Sequence, residues 1–161
     1  MPATPSSWPP RSSDSGALLT AYTQVMGWAV TLGHDPAGSG EGRVVTVVSA
    51  GFDALVVPLE AGRTALWAVE RSKVTAPALR NPVLGSVAFL VAAGSAAALE
   101  LPAGVGVVPG REGLVVAPTP GVRWDTTPWR PDRREPLPFP PARAVLPAVT
   151  DTLRTHTAPS P

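Results

Sequence analysis

Proline divides this chain into parts that can and cannot carry regular structure. Its ring fixes φ and removes a backbone donor, so helix and sheet interiors must run between prolines. Of 161 residues, 21 are proline, and they crowd the two ends and the loops. The opening "MPATPSSWPPRSSD" holds four prolines and five Ser or Thr residues with no apolar period, which predicts disorder over 1–14. The stretch "TTPWRPDRREPLPFPPAR" (126–143) has six prolines in 18 residues and predicts an extended arm over the surface. Residues 15–127 are left to form one folded domain, and 128–161 an arm with a weak helix and a tail. At 44% apolar and 16% charged residues, the middle has enough material for a core.

The domain reads as alternating short elements. Asp14 or Ser15 caps a helix over 16–26, with Leu18, Leu19, Tyr22 and Val25 or Met26 on one face. Gly27 ends it, and "WAVTL" (28–32) is a short strand, followed by a turn-rich loop, "GHDPAGSGEG" (33–42). "RVVTVVSA" (43–50) and "FDALVVP" (52–58) are strands. The break at Gly51 is too short for a helix, which predicts an antiparallel hairpin or one strand continuing across a bulge. "LEAGRTALWAVERSK" (59–73) sets Leu59, Ala65 or Leu66 and Val69 against Glu60, Arg63, Glu70 and Arg71, an amphipathic helix. A loop over 74–85 contains Pro77 and Pro82. Then come a strand at 86–92, a short helix at 95–101, strands at 105–108 and 113–118, and a last edge strand, "VRWDT" (122–126). "ARAVLPAVTDTLRTH" (142–156) offers a weak helix interrupted by Pro147. This order predicts an α+β fold with a mainly antiparallel or mixed sheet and flanking helices.

Several kinds of chemistry are excluded or disfavoured. The chain has no cysteine, so disulfides, thiolate metal sites and cysteine nucleophiles are absent, and a reducing cytoplasm is the expected setting. The N-terminus lacks the basic start and apolar run of a signal peptide. No apolar stretch reaches the roughly 18 residues of a membrane helix; "VLGSVAFLVAAGSAAALEL" is broken by Gly85, Gly94 and Ser95. The histidines, His34 and His156, stand far apart in loop-like sequence, where a metal needs several converging ligands. Ser49 and Ser86 lack a G-x-S-x-G elbow. "GSGEG" (38–42) shares only its glycines with a phosphate-binding loop and reads as a flexible loop.

A formal net charge of +1 sets up no strong pull on nucleic acid. Arg123, Trp124, Trp129 and Arg130, with Arg133 and Arg134, do place aromatic rings among arginines, as stacking on single strands requires. Asp125, Asp132 and Glu135 cancel much of that charge. The competing reading is a Pro-rich arm that packs its tryptophans onto the domain.

Three stretches carry a family resemblance: "AYTQVMGWAVTLG" (21–33), "VVTVVSAGFDALVVPLEAG" (44–62) and "GREGLVVAPTPGVRW" (110–124). In order and spacing they resemble the N-terminal domain of bifunctional DNA primase/polymerases, the prim-pol branch of the archaeo-eukaryotic primases. The likeness covers roughly residues 16–124 and is greatest to short, divergent actinobacterial members. It implies a primase/polymerase-like core, and in active members acidic residues holding two Mg²⁺ or Mn²⁺ ions that stabilise the attacking and leaving oxygens. The positions matching that family's Asp-x-Asp are Val56 and Pro58 here, and the third acid falls near Val107. The strand "SVAFLVA" lacks the expected histidine, and Pro120 replaces a serine. Strand alternation points Asp53 away from the face of residues 54, 56 and 58.

The resemblance therefore implies a degenerate primase/polymerase-like domain without nucleotidyl transfer, with no catalytic residue, metal or cofactor. It would act as an accessory module near DNA or a replication-associated protein. Two alternatives stand beside it. One is a small structural or interaction protein with no DNA role. The other is an active enzyme with relocated acids at Asp53, Glu60 and Glu112.

Overall fold

A computed structural model of the chain describes residues 8–11, 13–34 and 43–157. The Gly-rich part of the predicted loop, 35–42, and most of the segment read as disordered, 1–7 and 12, lie outside the described residues.

The valine-rich segments become strands, as their β-branched side chains favour. Among the described residues, eight strands form two antiparallel sheets, and three α-helices flank them, an α+β fold. The smaller sheet is ordered β1-β2-β7, from Ala29–His34, Arg43–Val48 and Leu114–Val116. The larger is ordered β6-β3-β5-β4-β8. Its strands are β3 (Phe52–Pro58), β4 (Ala78–Asn81), β5 (Ser86–Ala92), β6 (Gly106–Pro109) and β8 (Arg123–Thr126). β3 lies inside this sheet, with Leu55 opposite Phe89 on one side and Val107 on the other.

The predicted hairpin between 43–50 and 52–58 does not form. β2 pairs with β1 and β7, whereas β3 pairs with β5 and β6. The chain changes sheets at Ser49–Gly51. The reason is burial: Phe52 and Ala54 on one face and Leu55 and Val57 on the other are all at most 1% exposed. A strand apolar on both faces needs cover on both, and only the middle of a layered structure supplies it. Gly110 closes the crossing, with Ser49 donating its N–H to the Gly110 carbonyl at 3.0 Å.

The helices are α1 (Ser15–Thr20), α2 (Leu59–Arg71) and α3 (Ala142–Thr157). The Asp14 side chain caps α1 by accepting from the Ala17 N–H at 3.0 Å, and a π-helical turn at Ala21–Val25 continues it. The short helix expected at 95–101 is replaced by successive turns, in which Ser95, Ala97 and Leu99 donate to the carbonyls three residues back. Gly94 enters them at φ +75°, outside the helical region. β4 lies within the predicted loop 74–85; four residues between Pro77 and Pro82 are too few to show a period, and β5 and β8 create the strand by pairing with it. The helix expected to break at Pro147 runs through it. Pro147 and Arg143 are both exposed, so solvent is at hand for the Arg143 carbonyl that loses its donor at Pro147.

Two apolar clusters fill the spaces between layers. One joins the smaller sheet and α1 to the larger sheet, through Val45, Val47, Val116, Tyr22, Trp28, Phe52, Ala54 and Leu90. The other joins the opposite face of the larger sheet to α2 and α3, through Leu55, Val57, Val87, Phe89, Ala65, Val145 and Val149. α2 approaches so closely that a Cβ on Gly62 would stand 2.6 Å from Val87 Cβ.

Candidate functional site

The strand that drew attention in the sequence, β3, carries its residues as alternation requires. Val56 packs against the cluster beneath the smaller sheet, and Pro58, on the same strand face, is exposed. Val107, opposite Leu55, packs against the helix-side cluster. The three positions at which the resemblance would place acids therefore do not converge.

Asp53 is on the helix side of β3, opposite Val91 and Pro109. Its carboxylate accepts the Gly94 N–H at 2.8 Å and so ties the 93–99 turns to the sheet. It borders a shallow cavity of about 340 Å³ together with Phe52, Gly94, Val107 and Arg111. Glu112 lies near this end, in the 3₁₀ turn Gly110–Glu112 that follows β6. Glu60 lies in the first turn of α2, beyond the opposite end of β3. Asp53 and Pro58 are five steps apart along the strand, about 17 Å. Asp53, Glu60 and Glu112 thus do not meet, and among the described residues no three His, Asp or Glu side chains come together to hold a metal. The side chains of His34 and His156 lie outside the described ones.

The tryptophans of the cluster near the C-terminus are turned inward, while its arginines stay at the surface. Trp129 is 0% exposed, so neither ring face is open to a base. Its ring lies 5.7 Å from Tyr22 and 5.9 Å from Trp8, and its Nε1 has no hydrogen-bond partner among the described residues. Trp124 is half-buried and donates its Nε1–H to the Tyr22 hydroxyl at 2.8 Å. Arg130 pairs with Glu135 at 3.7 Å, and Arg123 is exposed on the edge strand β8. Trp124 and Arg123 are placed by the pairing of β8 with β4, and the Pro-rich arm that holds Trp129 and Arg130 folds back on itself: Arg130 donates to the Glu135 carbonyl and Leu137 to that of Pro128. Trp8, from the segment read as disordered, is seated on the arm, with its Nε1–H on the Arg130 carbonyl at 2.8 Å.

A different tryptophan is open. Trp67, in the middle of α2, is 67% exposed. It stands four residues from Arg63 and four from Arg71, both also exposed, so the three form one stripe along the helix. Beside the stripe a groove of about 540 Å³ runs between α2 and the β4–β8 edge, lined by Arg63, Trp67, Glu70, Phe89, Arg80 and Asp125. Arg80 grips Asp125 through two hydrogen bonds, Nε to Oδ2 at 3.2 Å and Nη2 to Oδ1 at 3.0 Å. The sequence held the signal for this site: Trp67 falls on the polar side of an amphipathic helix, where a large apolar ring has no core to fill.

No helix among the described residues is long and apolar enough to cross a membrane. No family model, no curated protein and no solved structure matches this chain.

Proposed function

We propose that this chain is a non-catalytic domain on a primase/polymerase-like scaffold, serving as an accessory module associated with DNA. The observation that carries the reading is the placement of Val56 and Val107 in apolar clusters on opposite sides of the larger sheet. Two-metal transfer needs carboxylates within a few ångströms of both ions, and this packing leaves no common face for them. The cysteine-free composition supports a cytoplasmic setting.

Primer synthesis and primer extension with Mg²⁺ or Mn²⁺ test the reading. The expected result is no template-dependent product. Product that disappears in Asp53→Ala overturns it in favour of an enzyme with relocated acids.

A second reading, an interaction protein with no DNA role, is favoured by the exposure of Trp67, Val83 and Leu84 at 67%, 79% and 70%. Electrophoretic shifts with single-stranded and duplex DNA at low and high salt separate the two. A salt-sensitive shift supports the first reading, and no shift under either condition supports the second.

A further inference from the structure

We infer that the outer face of α2 is a platform for single-stranded nucleic acid, with a base stacked on Trp67 and neighbouring phosphates held by Arg63 and Arg71. The inference rests on the DNA-associated reading above and locates its contact surface.

Four observations lead there. First, Trp67 is the exposed member of the tryptophan set: Trp28 and Trp129 are buried, and Trp8 and Trp124 are half-buried with their indole N–H groups bonded inside the fold. A single exposed apolar side chain means little by itself, so its neighbours carry the argument. Second, those neighbours are cations on both sides. At 1.5 Å rise per residue, Arg63 and Arg71 stand about 6 Å above and below Trp67 along the helix axis. Alternation of cation, ring and cation suits a strand whose bases alternate with phosphates. Third, neither arginine is drawn into an ion pair among the described residues, whereas Arg80, deeper in the groove, is already neutralised by Asp125 at 3.0 Å. The outer arginines are thus available to an external anion. Fourth, the groove beside the ring has about 540 Å³, room for a base or sugar to settle against the part-exposed Leu66 and Val74.

Single-stranded nucleic acid fits this surface better than duplex. A ring lying on a helix offers its face to an unstacked base, and a duplex presents none. Glu70 is the opposing charge: it lines the same groove, three residues from Trp67, and it works against phosphate. That opposition gives the proposal a sign that a purely structural role for the helix lacks.

The test is the anisotropy of a labelled single-stranded oligothymidylate titrated with the full chain at low and high salt, with duplex of the same length alongside. Thermal melts of each variant report the fold. Trp67→Ala is expected to weaken binding roughly tenfold, with most of it retained in Trp67→Phe. Arg63→Ala is expected to weaken binding and flatten the salt slope by about 1. Glu70→Gln is expected to tighten binding. If the wild-type chain binds the single strand but Trp67→Ala and Arg63→Ala leave affinity unchanged, the site is wrong while the DNA reading survives. Binding confined to duplex overturns the site in the same way. If the chain binds neither DNA, both fall, and an anionic protein partner for the arginine stripe is the reading that replaces them.

Discussion

Trp124 donates its indole N–H to the hydroxyl of Tyr22 at 2.8 Å, and that hydroxyl donates in turn to the Ala117 carbonyl at 2.5 Å. The relay joins β8, at the edge of the larger sheet, to the turn after α1 and to the loop after β7. Tyr22 is 0% exposed, its ring stacked 5.8 Å from Trp28, so its hydroxyl has no water to fall back on. Tyr22→Phe leaves the Trp124 N–H and the Ala117 carbonyl without this partner. The expected loss is about 1–3 kcal/mol of stability, measured by urea unfolding. An unchanged midpoint would show that the relay contributes nothing.

The same residue makes an alkaline prediction. Burial raises the Tyr22 pKa above the ordinary tyrosine value of 10.0, and the Trp124 hydrogen bond opposes that only in part. The folded state therefore holds its proton where the unfolded chain releases it. This contribution to stability is fully present below pH about 10 and declines as pH rises toward the folded pKa. Tyr22 is the sole tyrosine, so phenolate absorbance reports it alone. Folded protein at pH about 11 should show little phenolate, and denatured protein at the same pH should show nearly the full signal. Equal signals in the two states would refute the shift.

Close packing of α2 on β5 predicts a compensating pair. Gly62→Ala should destabilise by about 1–3 kcal/mol, because the new methyl meets Val87 Cβ and Cγ2 at 2.6 and 2.7 Å. Val87→Ala removes Cγ2 and keeps Cβ, so it relieves one of the two contacts. The double variant should therefore lose less than the sum of the two single losses. Strict additivity would mean that the helix moves away as a unit instead.

Gly110 is constrained by backbone instead of by a side chain. A Cβ there would stand 2.5 Å from the Phe52 carbonyl oxygen and closer still to that of Ser49. Neither oxygen can rotate away as a side chain can. Gly110→Ala should cost about 3 kcal/mol or somewhat more, and no nearby truncation should rescue it. Thermal denaturation of the variant, alone and combined with Val87→Ala, gives the comparison.

Pro147 predicts a gain. It occupies a helix interior, exposed, where it withholds an N–H from the α3 ladder. Pro147→Ala should stabilise by about 1–2 kcal/mol, the propensity gain less the extra freedom of the unfolded chain. A destabilised variant would mean that a bend at this point seats α3 on the sheet.

Elements with a long, unambiguous pattern were legible. The strands at 52–58 and 86–92 match β3 and β5 residue for residue, and the helix expected at 59–73 is α2 with two fewer residues. Asp53 was readable from alternation as facing away from Val56, and its partner, the Gly94 N–H, lies 41 residues along the chain. The failures have different causes. β4 is a strand because β5 and β8 flank it, and pairing outweighs local propensity worth tenths of a kcal/mol per residue. The 95–101 turns follow Gly94, which is held at φ +75° with its N–H on Asp53.

The tryptophans give the same lesson about the site. Trp124 and Trp129 stand among arginines in the sequence, yet the fold-back of the Pro-rich arm places Trp129 in the core, and the pairing of β8 with β4 sets Trp124 on Tyr22. Trp67 is the ring left at the surface.

By itself the sequence marked out β3, β5 and α2, because hydrophobic period acts over a few residues, but not β4 or the passage of α3 through Pro147. It also determined that the positions at 56 and 107 are valines. Which strands share a sheet, which cluster each valine joins and which indoles are buried were decided only by tertiary structure. Those choices depend on covering β3 from both sides, and the residues that do so come from distant parts of the chain.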